Sequence, residues 1–181
     1  MEATELPSGD ITIQVRSVSR LFNSFDPSPF YERDIDDDAE EYIVDWAREL
    51  PRDAPLRIVI RLPAEEAARA EAAEIPGALA HYFANRAERL AFDLRELFRI
   101  GWRSLAIGIA VLTGCLVASQ TLVQMIPQET VARVLEESLI LLGWVANWRP
   151  MEIYLYDWWP IVRRRSLYRR IAAAPVEIQG L

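Results

Sequence analysis

The pattern of apolar and polar positions divides the chain into a mixed first part and a strongly apolar middle. From Ser104 to Ile126 there are 23 consecutive residues without a charged side chain. A helix of this length rises about 35 Å at 1.5 Å per residue, which covers the ~30 Å hydrocarbon core of a bilayer. The run therefore predicts a transmembrane helix over residues 104–126.

A second apolar stretch, at about residues 130–149, predicts the return crossing of a two-helix transmembrane hairpin that occupies residues 104–149. This stretch is less uniform, because Arg133, Glu136 and Glu137 lie in its first turns. A charge at the bilayer centre costs ~2.5–3.5 kcal/mol on insertion scales, and less near the interface. The alternative is a single crossing, with the second stretch lying along the outer surface.

Alternation of apolar and polar residues predicts two strands before the membrane segment, at about residues 11–17 and 56–62. Between them a helical repeat over about 37–50 follows the acidic run Asp36–Asp38, which supplies an N-cap and suits the helix dipole. The apolar stripe of this predicted helix is Ala39, Tyr42, Ile43, Trp46, Ala47 and Leu50. Strand, helix and strand predict a βαβ unit with parallel strands. The expected fold class is a small cytoplasmic α/β (or α+β) domain, over residues 1–76, joined to the hairpin.

The segments on either side of the hairpin complete the predicted organisation. After Pro76, which should end an alanine-rich helix, no breaker interrupts residues 77–103, and we expect a long helix leading into the membrane. Beyond the hairpin, Met151–Tyr156 predicts a third strand, followed by a helix and a short extended tail at 176–179. We expect residues 150–181 to return to the α/β domain.

Arginine placement predicts the orientation in the membrane. Arginines precede the first span and cluster after the second, whereas the connection 127–130 has none. By the positive-inside rule both termini are cytoplasmic and the protein is multi-pass. The acidic start, MEATELPSGD, is unlike a cleaved signal peptide. All 20 basic residues are Arg, a bias that favours a bacterial source and hence the inner membrane.

Composition excludes several classes of function. Residues 1–103 carry 21 acidic and 13 basic side chains, a net charge of −8 that argues against a nucleic-acid partner. A single histidine, His81, and a single cysteine, Cys115, exclude a zinc site of Cys and His ligands within one chain. The chain has no glycine-rich phosphate loop and no nucleophile elbow. We therefore predict no catalytic residue, no metal site and no cofactor.

Polar residues of the two apolar stretches form the first candidate site. In an antiparallel hairpin they fall at the same depth in the outer half of the bilayer, where they could line a hydrated cavity or an oligomeric pore. The alternative is that these turns project beyond the lipid and Arg133 pairs with Glu137 at i,i+4. This intramembrane polar cluster consists of Gln120, Gln124, Arg133, Glu136 and Glu137.

Two further groups predict contacts with helices and with lipid. Small residues at every fourth position of the first span let another helix approach closely, either the second helix of the hairpin or the same helix of another copy. This helix-packing ridge is Ala106, Ala110, Gly114 and Ala118. Aromatic and basic residues around the end of the second span favour an anchor in membrane lipid. This interfacial anchor is Trp144, Trp148, Trp158, Trp159, Arg163, Arg164 and Arg165.

These patterns lead to one function hypothesis and one alternative. The hypothesis is a non-enzymatic integral membrane protein that acts as an accessory, scaffold or regulatory subunit through protein–protein contacts. Its partners would be membrane lipid and a second copy of the chain or another membrane protein. The alternative is a homo-oligomeric pore or transport component that uses the intramembrane polar cluster.

Overall fold

The structure, a computed structural model, describes residues 9–23, 26, 27, 29, 30, 33–51 and 53–181 and, for residues 70 and 71, the backbone only. The first eight residues of the predicted α/β domain lie outside this description. In chain order the elements are β1 (Gly9–Gln14), α1 (Asp37–Glu49), β2 (Leu56–Leu62), α2 (Ala64–Ala67), α3 (Ala70–Met125), α4 (Glu129–Ala146), α5 (Trp148–Glu152), α6 (Trp158–Ala172) and β3 (Val176–Gly180).

The chain forms two compact units. Unit 1 comprises Met1–Leu90 and Arg163–Leu181, and unit 2 comprises Ala91–Val162. Unit 1 contains the three strands with α1 and α2, together with the first part of α3 and most of α6. Unit 2 is helical throughout its length apart from the short connections between helices.

The sheet of unit 1 is parallel and has the strand order β1-β2-β3. Ile13 of β1 is paired with Ile60 of β2, and Ile58 of β2 is paired with Val176 of β3. The predicted parallel pairing of the first two strands is therefore confirmed. The tail predicted as merely extended is the third strand.

The third strand predicted at Met151–Tyr156 is wrong, because this segment is helical. Residues Ile153–Asp157 form a π-helical turn between α5 and α6. Trp148 Nε1 donates to Glu152 Oε1 at 2.9 Å, an i,i+4 contact that a helix makes and a strand does not. Six residues of mixed apolar pattern are too few to separate a period of 2 from a period of 3.6.

The two faces of the sheet differ in polarity, as the alternation in β2 predicted. Leu56, Ile58, Ile60 and Leu62 are buried, whereas Arg57 and Arg61 are exposed. On the polar face Arg57 forms ion pairs with the neighbouring strands, at 2.6 Å to Asp10 and 3.4 Å to Glu177. Val59, which lies between the two arginines on this face, is 5% exposed, so the centre of this face is also shielded from solvent. The apolar core between the helices and the sheet includes Ile11, Ile43, Ala47, Ile75, Leu79, Phe83 and Ile171.

Helix α3 begins earlier than predicted and runs through Pro76. Pro76 lacks the N–H that would bond to Ala72 and should disfavour a helix interior. Neighbouring residues offset that cost, because Ile75, Ala78 and Leu79 are all buried in the core of unit 1. The break between the alanine-rich helix and the long helix falls instead at Ala68 and Arg69.

Among the described residues, α3 is the one helix long and apolar enough to cross a membrane. A core helix of a soluble protein can meet the same criterion, but such a helix is mostly buried. Only 11% of the apolar window of α3 is buried. Large side chains such as Ile107 and Val117 are 65% and 57% exposed.

Candidate functional site

The structure places the five residues of the predicted polar cluster on different sides of their helices. Gln120 and Gln124 are exposed on α3, and Arg133 and Glu137 are exposed on α4. Within the described part of the chain, no hydrogen bond or ion pair joins any two of the five. At 3.6 residues per turn, Gln124 lies roughly 160° around α3 from Gly108, which contacts α4. Gln120 lies roughly 120° from Gly108, so both glutamines lie away from the side of α3 that contacts α4.

The predicted ridge also lies away from α4. Ala106, Ala110 and Gly114 are exposed, and a Cβ atom added to Gly114 would meet nothing within 4 Å. The residues of α3 that α4 covers form a different stripe, which includes Gly108, Leu112 and Cys115. Ala118, the fourth residue of the ridge, is half-buried. Of the two partners expected for the ridge, the second helix of the same chain therefore leaves at least Ala106, Ala110 and Gly114 uncovered.

Close packing between α3 and α4 depends on two glycines. A Cβ on Gly143 would lie 2.7 Å from Leu112 Cδ1, and a Cβ on Gly108 would lie 2.6 Å from Asn147 Oδ1. The Asn147 amide is 8% exposed and donates to Gly108 O at 3.1 Å and to Gly143 O at 2.9 Å. Sequence reasoning missed Asn147, whose only signal was an amide residue at the end of an apolar helix.

The predicted interfacial anchor is divided between the two units. Trp144, Trp148 and Trp159 are 59%, 64% and 59% exposed, as a lipid-facing anchor requires. Arg163, Arg164 and Arg165 belong to unit 1. Arg164 donates to the Tyr168 hydroxyl at 3.0 Å, so it takes part in a polar contact of the folded domain.

That contact belongs to a buried cluster around Glu40, which is the best-defined polar site among the described residues. Glu40 lies on α1 and is 9% exposed. Its Oε1 accepts from Tyr168 of α6 at 2.8 Å, and its Oε2 accepts from Tyr82 of α3 at 2.5 Å. Arg86 of α3 donates to Oε2 at 2.8 Å. One carboxylate thus links three helices of unit 1, and we call this group the Glu40 clamp.

The tyrosines of the Glu40 clamp are each supported by an arginine one helical turn away. Arg86 donates to the Tyr82 hydroxyl at 2.9 Å and lies over the Tyr82 ring, with its Cζ 5.3 Å from the ring centroid. Arg164 lies over the Tyr168 ring in the same manner, at 5.4 Å. Each hydroxyl therefore accepts from a guanidinium and donates to the carboxylate, which satisfies both polar groups.

The clamp favours the charged form of its carboxyl group. Burial raises the pKa of the Glu40 carboxyl, but hydrogen bonds from Tyr82 and Tyr168 and the charge of Arg86 outweigh burial. The pKa of Glu40 is therefore lower than its ordinary value. Burial raises the pKa of the Tyr168 hydroxyl, and its donation to Glu40 acts in the same direction. At neutral pH the Glu40 carboxyl is therefore ionised and the Tyr168 hydroxyl is protonated.

Sequence reasoning missed Glu40 because it placed the buried stripe of α1 about one residue away. The predicted stripe included Tyr42 and Trp46, which are 41% and 47% exposed. The observed stripe is Glu40, Ile43, Val44 and Ala47. A glutamate within an otherwise apolar stripe was the available signal, but its partners come from distant segments.

The Glu40 clamp is suited to holding helices together more than to catalysis. Its carboxylate accepts three strong hydrogen bonds and has no proton to transfer at neutral pH. A cleft of about 310 Å³ lies beside it, lined by acidic residues of α1 and by Arg48, Arg86 and Arg164. Within the described residues, no three His, Cys, Asp or Glu side chains are arranged to hold a metal ion.

Comparison with protein-family models, with curated proteins and with solved structures finds no match to this chain.

Proposed function

We propose that the chain is an integral membrane protein anchored by residues 104–126 of α3, with unit 1 in the cytoplasm as a non-enzymatic accessory, scaffold or regulatory module. The observation that carries this proposal is the exposed apolar surface of α3, which water would solvate poorly and lipid would solvate well. The same helix contributes Ile75, Leu79 and Phe83 to the core of unit 1. The proposed membrane anchor and part of the core of unit 1 therefore belong to the same helix, α3.

The proposal includes a second crossing by α4. Gly108, Gly143 and Asn147 support it, because close glycine contacts and an amide bonded to backbone carbonyls are the means by which helices associate in lipid. With the arginines placed as described, both termini would be cytoplasmic in a bacterial inner membrane. Reporter fusions after residue 128 and after Leu181 test this topology. Activity of a periplasm-dependent reporter at 128 and its absence at 181 are expected, and the reverse pattern contradicts it.

The proposal also includes association with a second copy through the helix-packing ridge. Most of the ridge is uncovered by α4, and its small side chains allow close approach. In a Cys115→Ser background, we expect Ala110→Cys to form a disulfide-linked dimer in native membranes. The control Ile109→Cys, at an exposed position on another side of α3, should crosslink far less. Equal crosslinking of the two variants, or no crosslinking of either, would contradict association through the ridge.

A pore or transport role is the second candidate, because Gln120 and Gln124 are exposed where lipid would otherwise surround them. An amide side chain in lipid needs a polar partner or water, and an oligomer could supply either. Ion flux into liposomes that contain the purified protein discriminates the two functions. Flux that falls on replacing Glu136 and Glu137 with Ala supports the pore, and absence of flux from the wild type ends it.

A further inference from the structure

A small cleft in unit 1 brings together basic side chains from two segments. His81, Asn85 and Arg89 follow one another at a spacing of four along one face of α3. Arg33, from the segment just before α1, lines the same cleft. The cleft has a volume of about 60 Å³, which accommodates a few waters or one small oxyanion.

Two of the three arginines of this cleft, Arg33 and Arg89, lack an acidic partner among the described residues. Arg86, which also lines it, is paired with Glu40 of the clamp. Asp34 is the acidic residue of the cleft, but within the described residues no ion pair joins it, or any other carboxylate, to Arg33 or Arg89. This local excess of positive charge lies in a segment of the chain whose net charge is −8.

A buried donor without an acceptor gives a second, independent indication. The Nε of Arg33 is buried and has no hydrogen-bond partner among the described residues. Leaving such a donor unsatisfied costs about 1–3 kcal/mol, and more when the donor is charged. Because Arg33 lines the cleft, an acceptor bound there that reached Nε would remove that cost.

We propose that this cleft binds a phosphate group, either as free inorganic phosphate or as the phosphomonoester head of a larger molecule. A guanidinium presents parallel N–H donors that match two oxygens of a phosphate, and Arg33 and Arg89 supply two such groups. The Asn85 amide, which lies 2.9 Å from His81 Nε2, adds a neutral polar group to the wall. Binding of free phosphate is independent of the proposed membrane role, whereas binding of a lipid headgroup rests on it.

Titration calorimetry on the full-length protein in neutral detergent micelles tests the proposal, with inorganic phosphate as the probe. We expect saturable binding of one phosphate per chain to the wild type. Arg89→Gln should weaken it about tenfold or more, the change expected when one charge-assisted hydrogen bond is lost. Arg33→Gln should weaken it comparably. Because Arg89 is exposed, Arg89→Gln should fold normally even if Arg33→Gln is destabilised.

The matched control is Arg16→Gln, an exposed arginine of unit 1 that does not line the cleft. It should bind phosphate as the wild type does. A second series in micelles doped with phosphatidic acid distinguishes the source of the phosphate, since a lipid headgroup site would bind the doped micelles and leave free phosphate unbound. The proposal is overturned if the wild type binds neither probe, or if Arg16→Gln weakens binding as much as Arg89→Gln.

Discussion

Unit 1 and unit 2 each bury a polar side chain between helices, and they satisfy it in different ways. Glu40 in unit 1 keeps its charge and is held by the hydroxyl and guanidinium groups of other side chains. Asn147 in unit 2 is neutral and is held by the backbone carbonyls of Gly108 and Gly143. Arg86 remains about a third exposed, so water helps to solvate the clamp. Asn147 carries no charge, so two backbone carbonyls are sufficient acceptors for its amide N–H groups.

The difference shows which residues each unit depends on. In unit 1, α1 is linked to α3 and α6 by side-chain groups that must all be present for the carboxylate to be stable. In unit 2, α3 and α4 come close because two residues have no Cβ. Removing a polar group should therefore damage unit 1 most, and adding a methyl group should damage unit 2 most.

The largest effect is expected for Glu40→Ala, which leaves two buried hydroxyls and Arg86 without their acceptor. Allowing for the partial exposure of Arg86, we expect a loss of about 2–4 kcal/mol in the stability of unit 1. Hydrogen exchange of the amides of β2, measured by mass spectrometry on the full-length protein, reports this unit alone. The neighbouring control Glu41→Ala, at an exposed position, should change exchange by less than about 0.5 kcal/mol. Equal effects would mean that the clamp contributes nothing specific.

Next in size is Gly108→Ala, whose Cβ would collide with Asn147 Oδ1 and the backbone of Ala146. Overpacking of this kind costs about 1–3 kcal/mol. Cys115, the single cysteine, is buried and lies where α4 covers α3, so its rate of reaction with a thiol reagent in detergent reports the separation of the two helices. Gly108→Ala should raise that rate, whereas Gly114→Ala, at an open position, should not. A similar increase in both variants would contradict the assigned contact.

A smaller effect should appear in the pH dependence of unit 1. Because the pKa of Glu40 is lowered on folding, its carboxylate contributes stability above the ordinary pKa of about 4.5, and this is lost as pH falls through the lower folded value. Protection of β2 should therefore decline in the acid range in the wild type. Glu40→Gln should decline less steeply over the same range. Identical slopes would remove Glu40 as a source of the pH dependence.

The smallest effect, of opposite sign, is expected for Gly77→Ala. Gly77 lies within α3 in unit 1, and a Cβ there would meet nothing within 4 Å. Replacing a helix glycine by alanine should stabilise the unit by about 0.5–1 kcal/mol. Slower exchange of the amides of β2 is the expected result. Faster exchange would show that unit 1 requires a glycine at position 77, contrary to the open space around it.

The parts of the fold that could be predicted from sequence are those set by local periodicity. The alternation in Leu56–Leu62 was sufficient to predict β2, and the acidic run at Asp36 was sufficient to predict the start of α1. The Asp36 carboxylate accepts from Asp38 N at 3.1 Å. Pro76 misled the prediction, because burial of its neighbours outweighed its local preference.

The site residues were harder to predict because they depend on contacts between distant segments. Glu40 is 42 residues from Tyr82 and 128 from Tyr168, and Asn147 is 39 residues from Gly108. Their roles follow from packing, which a single sequence does not display. The small residues at every fourth position predicted a close-packing surface on one side of α3, whereas α4 packs on another side, which spacing alone could not identify.

The most direct test of the account is whether the apolar surface of α3 lies in a membrane. Membranes from cells that express the full-length chain can be washed with alkaline carbonate, which strips peripheral proteins, and then sedimented. If the apolar surface of α3 lies in the membrane, the protein remains in the pellet and enters solution only when detergent is added. Recovery in the carbonate supernatant, as a stable protein without detergent, would contradict it.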